Sequence, residues 1–126
     1  MRFAAIAVAG ALACMPFAAI ADGASETVTA QTHADLAAHA ADLSGVHMHL
    51  HHTVNCLVGP KGTGFDAKEL NPCANAGNGA IPDTTDAARK KTLNDAVAKA
   101  ETGIAATQLA AAQKAATETA AMLKAK

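Results

Sequence analysis

Leucine recurs every seven residues at Leu36, Leu43, Leu50 and Leu57, with Ala40, Val46 and Val54 beside them. This is the spacing of a helix that buries one stripe. It predicts a first helix over about 26–57, stopped by Gly59-Pro60. At the usual rise that helix would be roughly 45 Å long. A second stripe runs through Leu93, Val97, Ala100, Ile104, Ala111, Ala115 and Met122. It predicts a helix over about 84–123 that opens after Pro82 with Asp83, Thr84 or Thr85 as its cap. Its weakest point is Gly103. Asp86 with Lys90, Asp95 with Lys99, and Lys114 with Glu118 set opposite charges four apart on the solvated face.

Between the two stripes, over 58–82, the pattern gives way to Gly59-Pro60, Gly62-Thr63-Gly64, Asn71-Pro72 and Gly77-Asn78-Gly79. These are turn residues, while Phe65, Leu70, Cys73 and Ile81 give the segment something to bury. It is expected to fold back over the end of the first helix. The fold class is therefore all-α: a long antiparallel helical hairpin or a small bundle with a Gly/Pro/Asn-rich loop. Helices with so many alanines bury little by themselves, and a lone hairpin would be marginal. A homodimer forming a four-helix bundle is one remedy. A break at Gly103 that folds the C-terminal part back as a third helix is another.

The first residues change the picture of where the chain works. Arg2, the apolar run from Phe3 to Ile20 and the small-residue site Ala19-Ile20-Ala21 read as a secretory signal over 1–21, leaving one helical domain over 22–126. Ala11-Leu12-Ala13-Cys14 competes as a lipoprotein box, with Leu12 one place out of position. The run is too short and too rich in alanine to favour a retained membrane anchor. A periplasmic or secreted protein, with no membrane association after cleavage, is the expectation. In such a compartment Cys56 and Cys73 pair most simply as one disulfide, closing the loop and contributing about 3 kcal/mol. The formal net charge is −1, and after cleavage Phe65 is the only aromatic ring. A nucleic-acid partner is thereby excluded for want of both a basic patch and stacking rings.

Four of the six histidines, His47, His49, His51 and His52, lie together just before Cys56. Alternation of His47, His49 and His51 with Met48, Leu50 and His52 is also a strand signal. The helix is preferred, because the leucine repeat passes through Leu50 in phase and no second strand offers a pairing edge. On a helix the cluster splits. His47 and His51 lie four apart beside the leucine stripe; His49 and His52 lie three apart on the other side, with Cys56 one turn beyond. Such pairs can chelate one ion, as in zinc protease helices, but Met48 stands where those carry their catalytic Glu. No hydrolytic constellation is present, and the chain is not expected to be an enzyme.

Two imidazoles leave a coordination sphere incomplete. Asp66, Glu69, Asp42 or the same pair on a second subunit could complete it. His33 falls about 20 Å away along a straight helix and His39 has Asp35 four residues before it, so both read as solvated or carboxylate-paired. Imidazole suits copper, zinc and nickel, in the order copper and zinc above nickel. A reduced Cys56 would make a softer site with His49 and His52, and Met48 could add a thioether. A non-covalent haem between two axial histidines is the rival cofactor, disfavoured by the scarcity of large apolar and aromatic side chains.

The run from His47 to Pro60, then Asn71-Pro72-Cys73 and Gly79-Ala80-Ile81-Pro82-Asp83, resembles a pattern in small uncharacterised exported bacterial proteins, over about a third of residues 22–126. In general shape the chain is also similar to small His-rich periplasmic metal-binding helical bundles. The resulting expectation is an exported protein that buffers, carries or senses copper or zinc. The competing one is a structural or interaction module whose histidines respond to pH.

Overall fold

The computed structural model describes residues 23–125. The expected signal over 1–21, with its competing lipoprotein box, lies outside the described residues. Five helices and no strand occur among those described: α1 Ala24–Ala38, α2 Leu43–Val58, the single turn α3 Ala80–Asp83, α4 Ala87–Ile104 and α5 Leu109–Lys124. No helix among them is long and apolar enough to cross a membrane.

The all-α expectation holds in its small-bundle form, but neither long helix exists as one piece. The 26–57 helix is two, α1 and α2, separated at His39 to Asp42. Asp42 supplies the reason: its carboxylate accepts the Gly45 N–H at 2.7 Å and starts a new helix. The following Ser44 and Gly45 do little to hold a helix through the turn. Leu36, counted into the buried stripe, is 47% exposed, whereas Leu50 and Leu57 are fully buried. The 84–123 helix also breaks, between Ile104 and Leu109, just past Gly103. Its start is corrected as well: Asp83, Thr84 and Thr85 do not cap it, and Asp86 does, accepting the Arg89 N–H at 2.6 Å.

Each break turns one expected helix into an antiparallel pair, so one chain supplies four long helices. α1 packs on α2 and α5, and α4 packs on the same two, which closes an up-down-up-down square. Ala30, Ala34 and Ala37 of α1, Ala96 and Ala100 of α4, and Ala112, Ala116 and Ala120 of α5 bring the backbones close around Leu50, Leu57 and Leu93. The burial for which a dimer was invoked is thus found within a single chain. Each short turn is tied by the opposite hairpin: His47 Nε2 donates to the Ala106 carbonyl at 3.0 Å, and Gln113 Nε2 to that of Ala40 at 3.0 Å. Arg89 donates to the Leu123 and Ala125 carbonyls, which no turn of α5 remains to satisfy.

The loop after α2 runs back along the outer face of that helix. Gly59 leads into it with φ 69°, and a side chain there would collide with the Asn78 carbonyl. The Cys56–Cys73 disulfide is present, with Cα atoms 5.1 Å apart and both residues buried. The neighbouring Asn55, fully buried, donates to the Asp66 and Leu70 carbonyls and accepts the Asp66 N–H at 2.9 Å. Two adjacent residues of α2 therefore hold the loop against the helix that carries the histidines. Of the expected surface pairs, Lys114–Glu118 forms, but Lys99 crosses to Glu118 instead of pairing with Asp95, which takes Lys91.

Candidate metal centre

The break at Asp42 decides which histidines meet. Folding α1 back along α2 pairs positions equally distant from Ala41, and His33 and His49 are such a pair. Thr53, one turn beyond His49, donates to the Ala30 carbonyl of α1 at 3.2 Å and keeps the two helices in that register. His33 Nδ1 comes within 3.3 Å of His49 Nδ1. His52, one turn along α2, completes a triad with one ligand atom from each ring, all within 4.8 Å of one another. The His52 ring stands edge-on to both others, with centroids 5.1 Å from His33 and 5.7 Å from His49.

This is a different set from the four clustered positions. His49 and His52 belong to it. His47 and His51 do not: His47 is spent on the Ala106 carbonyl, and His51 Nδ1 faces Asp66 at 3.7 Å. His33, set aside as too distant, is the third member, because the distance argument assumed an unbroken helix. His39 does stay apart, but its Nδ1 pairs with the Asp35 backbone carbonyl at 2.8 Å, not with the carboxylate. Of the carboxylates considered as extra ligands, Asp42 caps α2 and Asp66 faces His51. Cys56 is in the disulfide, so the softer thiolate site is ruled out. The signal that could have found His33 was the Asp42-Leu43-Ser44-Gly45 start, from which the pairing with His49 follows by symmetry.

The triad is graded in exposure, with His52 buried and His33 and His49 half-buried. Burial, then the neighbouring His52 and His49, holds the His33 imidazole below its ordinary value. Burial and His49 do the same for His52 and outweigh the opposing pull of Glu69. Depressed values keep these rings neutral near pH 7, the form that offers a lone pair to a metal. His52 Nδ1 is sealed from solvent with no hydrogen-bond partner, while its Nε2 lies 3.8 Å from Glu69 Oε2. A carboxylate behind one ring nitrogen, with the other left free, is the outer-shell arrangement of metal-ligating histidines.

A tetrahedral ion with metal–nitrogen bonds of about 2.0–2.1 Å sets its ligand nitrogens about 3.4 Å apart. The 3.3 Å between His33 and His49 Nδ1 matches that spacing already. The donor set also fits: three imidazoles suit zinc or copper, and not the hard ions that prefer oxygen. The three rings leave at least one coordination position to another ligand. A haem does not fit, since rings in direct edge contact leave no gap for a macrocycle. No family model matches the chain, and neither the curated proteins nor the solved structures contain a match to it.

Proposed function

We propose that this chain is an exported protein that binds a transition metal, copper or zinc, through His33, His49 and His52, and buffers, carries or senses it. The observation that carries the reading is the triad itself: His33 and His49 already at chelating distance, and a buried His52 beside them whose Nδ1 has no partner. An unsatisfied buried polar atom costs roughly 1–3 kcal/mol, and a bound ion removes that cost. The buried disulfide supports an oxidising compartment and leaves the site its nitrogen ligands alone. No catalytic role is proposed, because the nearest carboxylate, that of Glu69, serves the back of His52.

Titration of metal-free protein with Cu(II) and Zn(II) tests this. One equivalent is expected to bind tightly, and His33→Ala, His49→Ala and His52→Ala each to lower affinity at least a hundredfold. His47→Ala and His51→Ala should retain it. Equal affinity in wild type and a His33/His49/His52 triple variant would refute the proposal. The lowered imidazole values of His33 and His52 favour a second reading, in which the same triad is a pH-responsive part of an interaction module. That module would change helicity or assembly between pH 7 and 5 and ignore a chelator.

A further inference from the structure

Asn55 stands one turn beyond both His51 and His52 on α2, at i+4 from the first and i+3 from the second. It is fully buried, with its amide donors and its acceptor all engaged. Nδ2 donates to the Asp66 carbonyl at 2.9 Å and to that of Leu70 at 3.1 Å, with the Glu69 carbonyl at 3.4 Å, and Oδ1 accepts the Asp66 N–H at 2.9 Å. The chain between these contacts also closes on itself. The Glu69 N–H reaches the Asp66 carbonyl at 3.2 Å, and Asp66 Oδ1 accepts the Lys68 N–H at 2.9 Å. One helix side chain thereby fixes the turn over 66–70 against the outer face of α2.

Two side chains leave that turn toward the helix. Asp66 Oδ2 lies 3.7 Å from His51 Nδ1, and Glu69 Oε2 lies 3.8 Å from His52 Nε2. Adjacent histidines on α2 therefore each meet one carboxylate, because the carboxylates sit three apart in a turn clamped one helical turn further on. Both carboxylates are 34% exposed, so packing does not place them; the backbone that carries them does. The disulfide joins Cys56 to Cys73, beyond the turn, and cannot by itself set which way Glu69 points. An amide is the side chain this position needs, since it offers two donors to carbonyls and an acceptor to an N–H, where a carboxylate would set its oxygens against the carbonyls.

We propose that Asn55 is a positioning residue of the metal centre: by holding the 66–70 turn it keeps the Glu69 carboxylate behind His52 Nε2, and so leaves Nδ1 of that ring as the donor to the ion. This rests on the triad being a metal site, and it adds the residue that sets the affinity. Asn55 acts through Glu69 and not on the ion. Outer-shell partners of this kind fix ring orientation and tautomer, and their loss weakens metal binding about 10- to 100-fold.

A double-mutant cycle on Zn(II) affinity tests it, with Glu69→Gln as the second substitution. Asn55→Ser is expected to weaken binding about 10- to 100-fold in the wild-type background, as Glu69→Gln does, and to add less than about twofold once Glu69 is Gln. A loss of general stability alone would weaken both backgrounds equally. The metal-free protein supplies a second readout: nitrogen NMR shifts at about pH 8, where the rings are neutral, should place the His52 proton on Nε2 in wild type. In Asn55→Ser and in Glu69→Gln alike it should divide between the two nitrogens. If Asn55→Ser does not fold, Asn55→Asp, equal in volume but without the two donors, takes its place. Additive losses in the cycle, or a His52 tautomer that the Asn55 variant leaves unchanged, overturn the proposal. If wild type binds no Zn(II), the metal reading falls, and the tautomer comparison still decides whether Asn55 places Glu69.

Discussion

His52 presents its two ring nitrogens to different surroundings, and the difference assigns their roles. Nε2 faces Glu69 across 3.8 Å, too far for a hydrogen bond but close enough to bias the proton toward that nitrogen and the lone pair toward Nδ1. The Glu69 carboxylate is 34% exposed, so solvent screens the pair and its share of folding stability is small. Its effect on an ion held by the triad would be different, since a metal site depends on a fixed ring orientation. Glu69→Gln is expected to weaken metal binding about 10- to 100-fold while shifting apo stability by less than about 0.5 kcal/mol. Competition against a chromophoric chelator, beside a urea melt, checks both. His47→Ala should behave oppositely: the Ala106 carbonyl loses its donor, stability falls by about 1 kcal/mol, and metal affinity is unchanged. A melt that did not move, or an affinity that did, would misplace His47.

The two breaks set the geometry of the helices, and they differ in how far the sequence announces them. Asp42-Leu43-Ser44-Gly45 carries a helix-start signal that the leucine repeat masks, because Leu36 and Leu50 happen to stay in phase across a turn. The second break lies in Ala105-Ala106-Thr107-Gln108, which has neither glycine nor proline. A bond from His47 holds it, and no local pattern records that contact. Gly103, the weak point in the sequence, turns out to be a packing position. A Cβ there would stand 2.5 Å from Leu50 Cδ1 and 3.1 Å from the Ala115 Cβ. Leu50 is fully buried and has little room to swing aside. Gly103→Ala therefore sets a helix-propensity gain of up to about 1 kcal/mol against an overpacking cost of about 1–3 kcal/mol. A net loss is expected, read as a lower urea midpoint with unchanged slope; a higher midpoint would show that α2 and α4 have slack. The loop and its disulfide were legible, since Gly, Pro and Asn mark turns and the two cysteines left after the expected signal pair most simply with each other.

Across the whole molecule, the triad couples folding to pH, and would couple it to any metal it held, through the α1–α2 hairpin. His33 and His52 lie below their ordinary value of 6.5 in the folded chain, so the unfolded chain takes up protons first as pH falls. The stability they contribute is fully present above about pH 6.5 and is lost as pH drops through that value toward the folded values. A metal at the triad would add to this in the same direction, since it would bind the neutral rings and compete with protons. An ion bound there at a hundred times its dissociation constant would stabilise the bundle by about 2.7 kcal/mol, because the unfolded chain does not hold His33 against His49. Melts from pH 7.5 to 5 should therefore show wild type losing stability steadily, with the metal-induced gain shrinking over the same range. His33→Gln should flatten the pH slope and remove the metal gain together, since one residue joins α1 to the site. A variant that lost the metal gain but kept the full pH slope would place the proton uptake elsewhere, and the triad would then be a metal site without being the pH sensor.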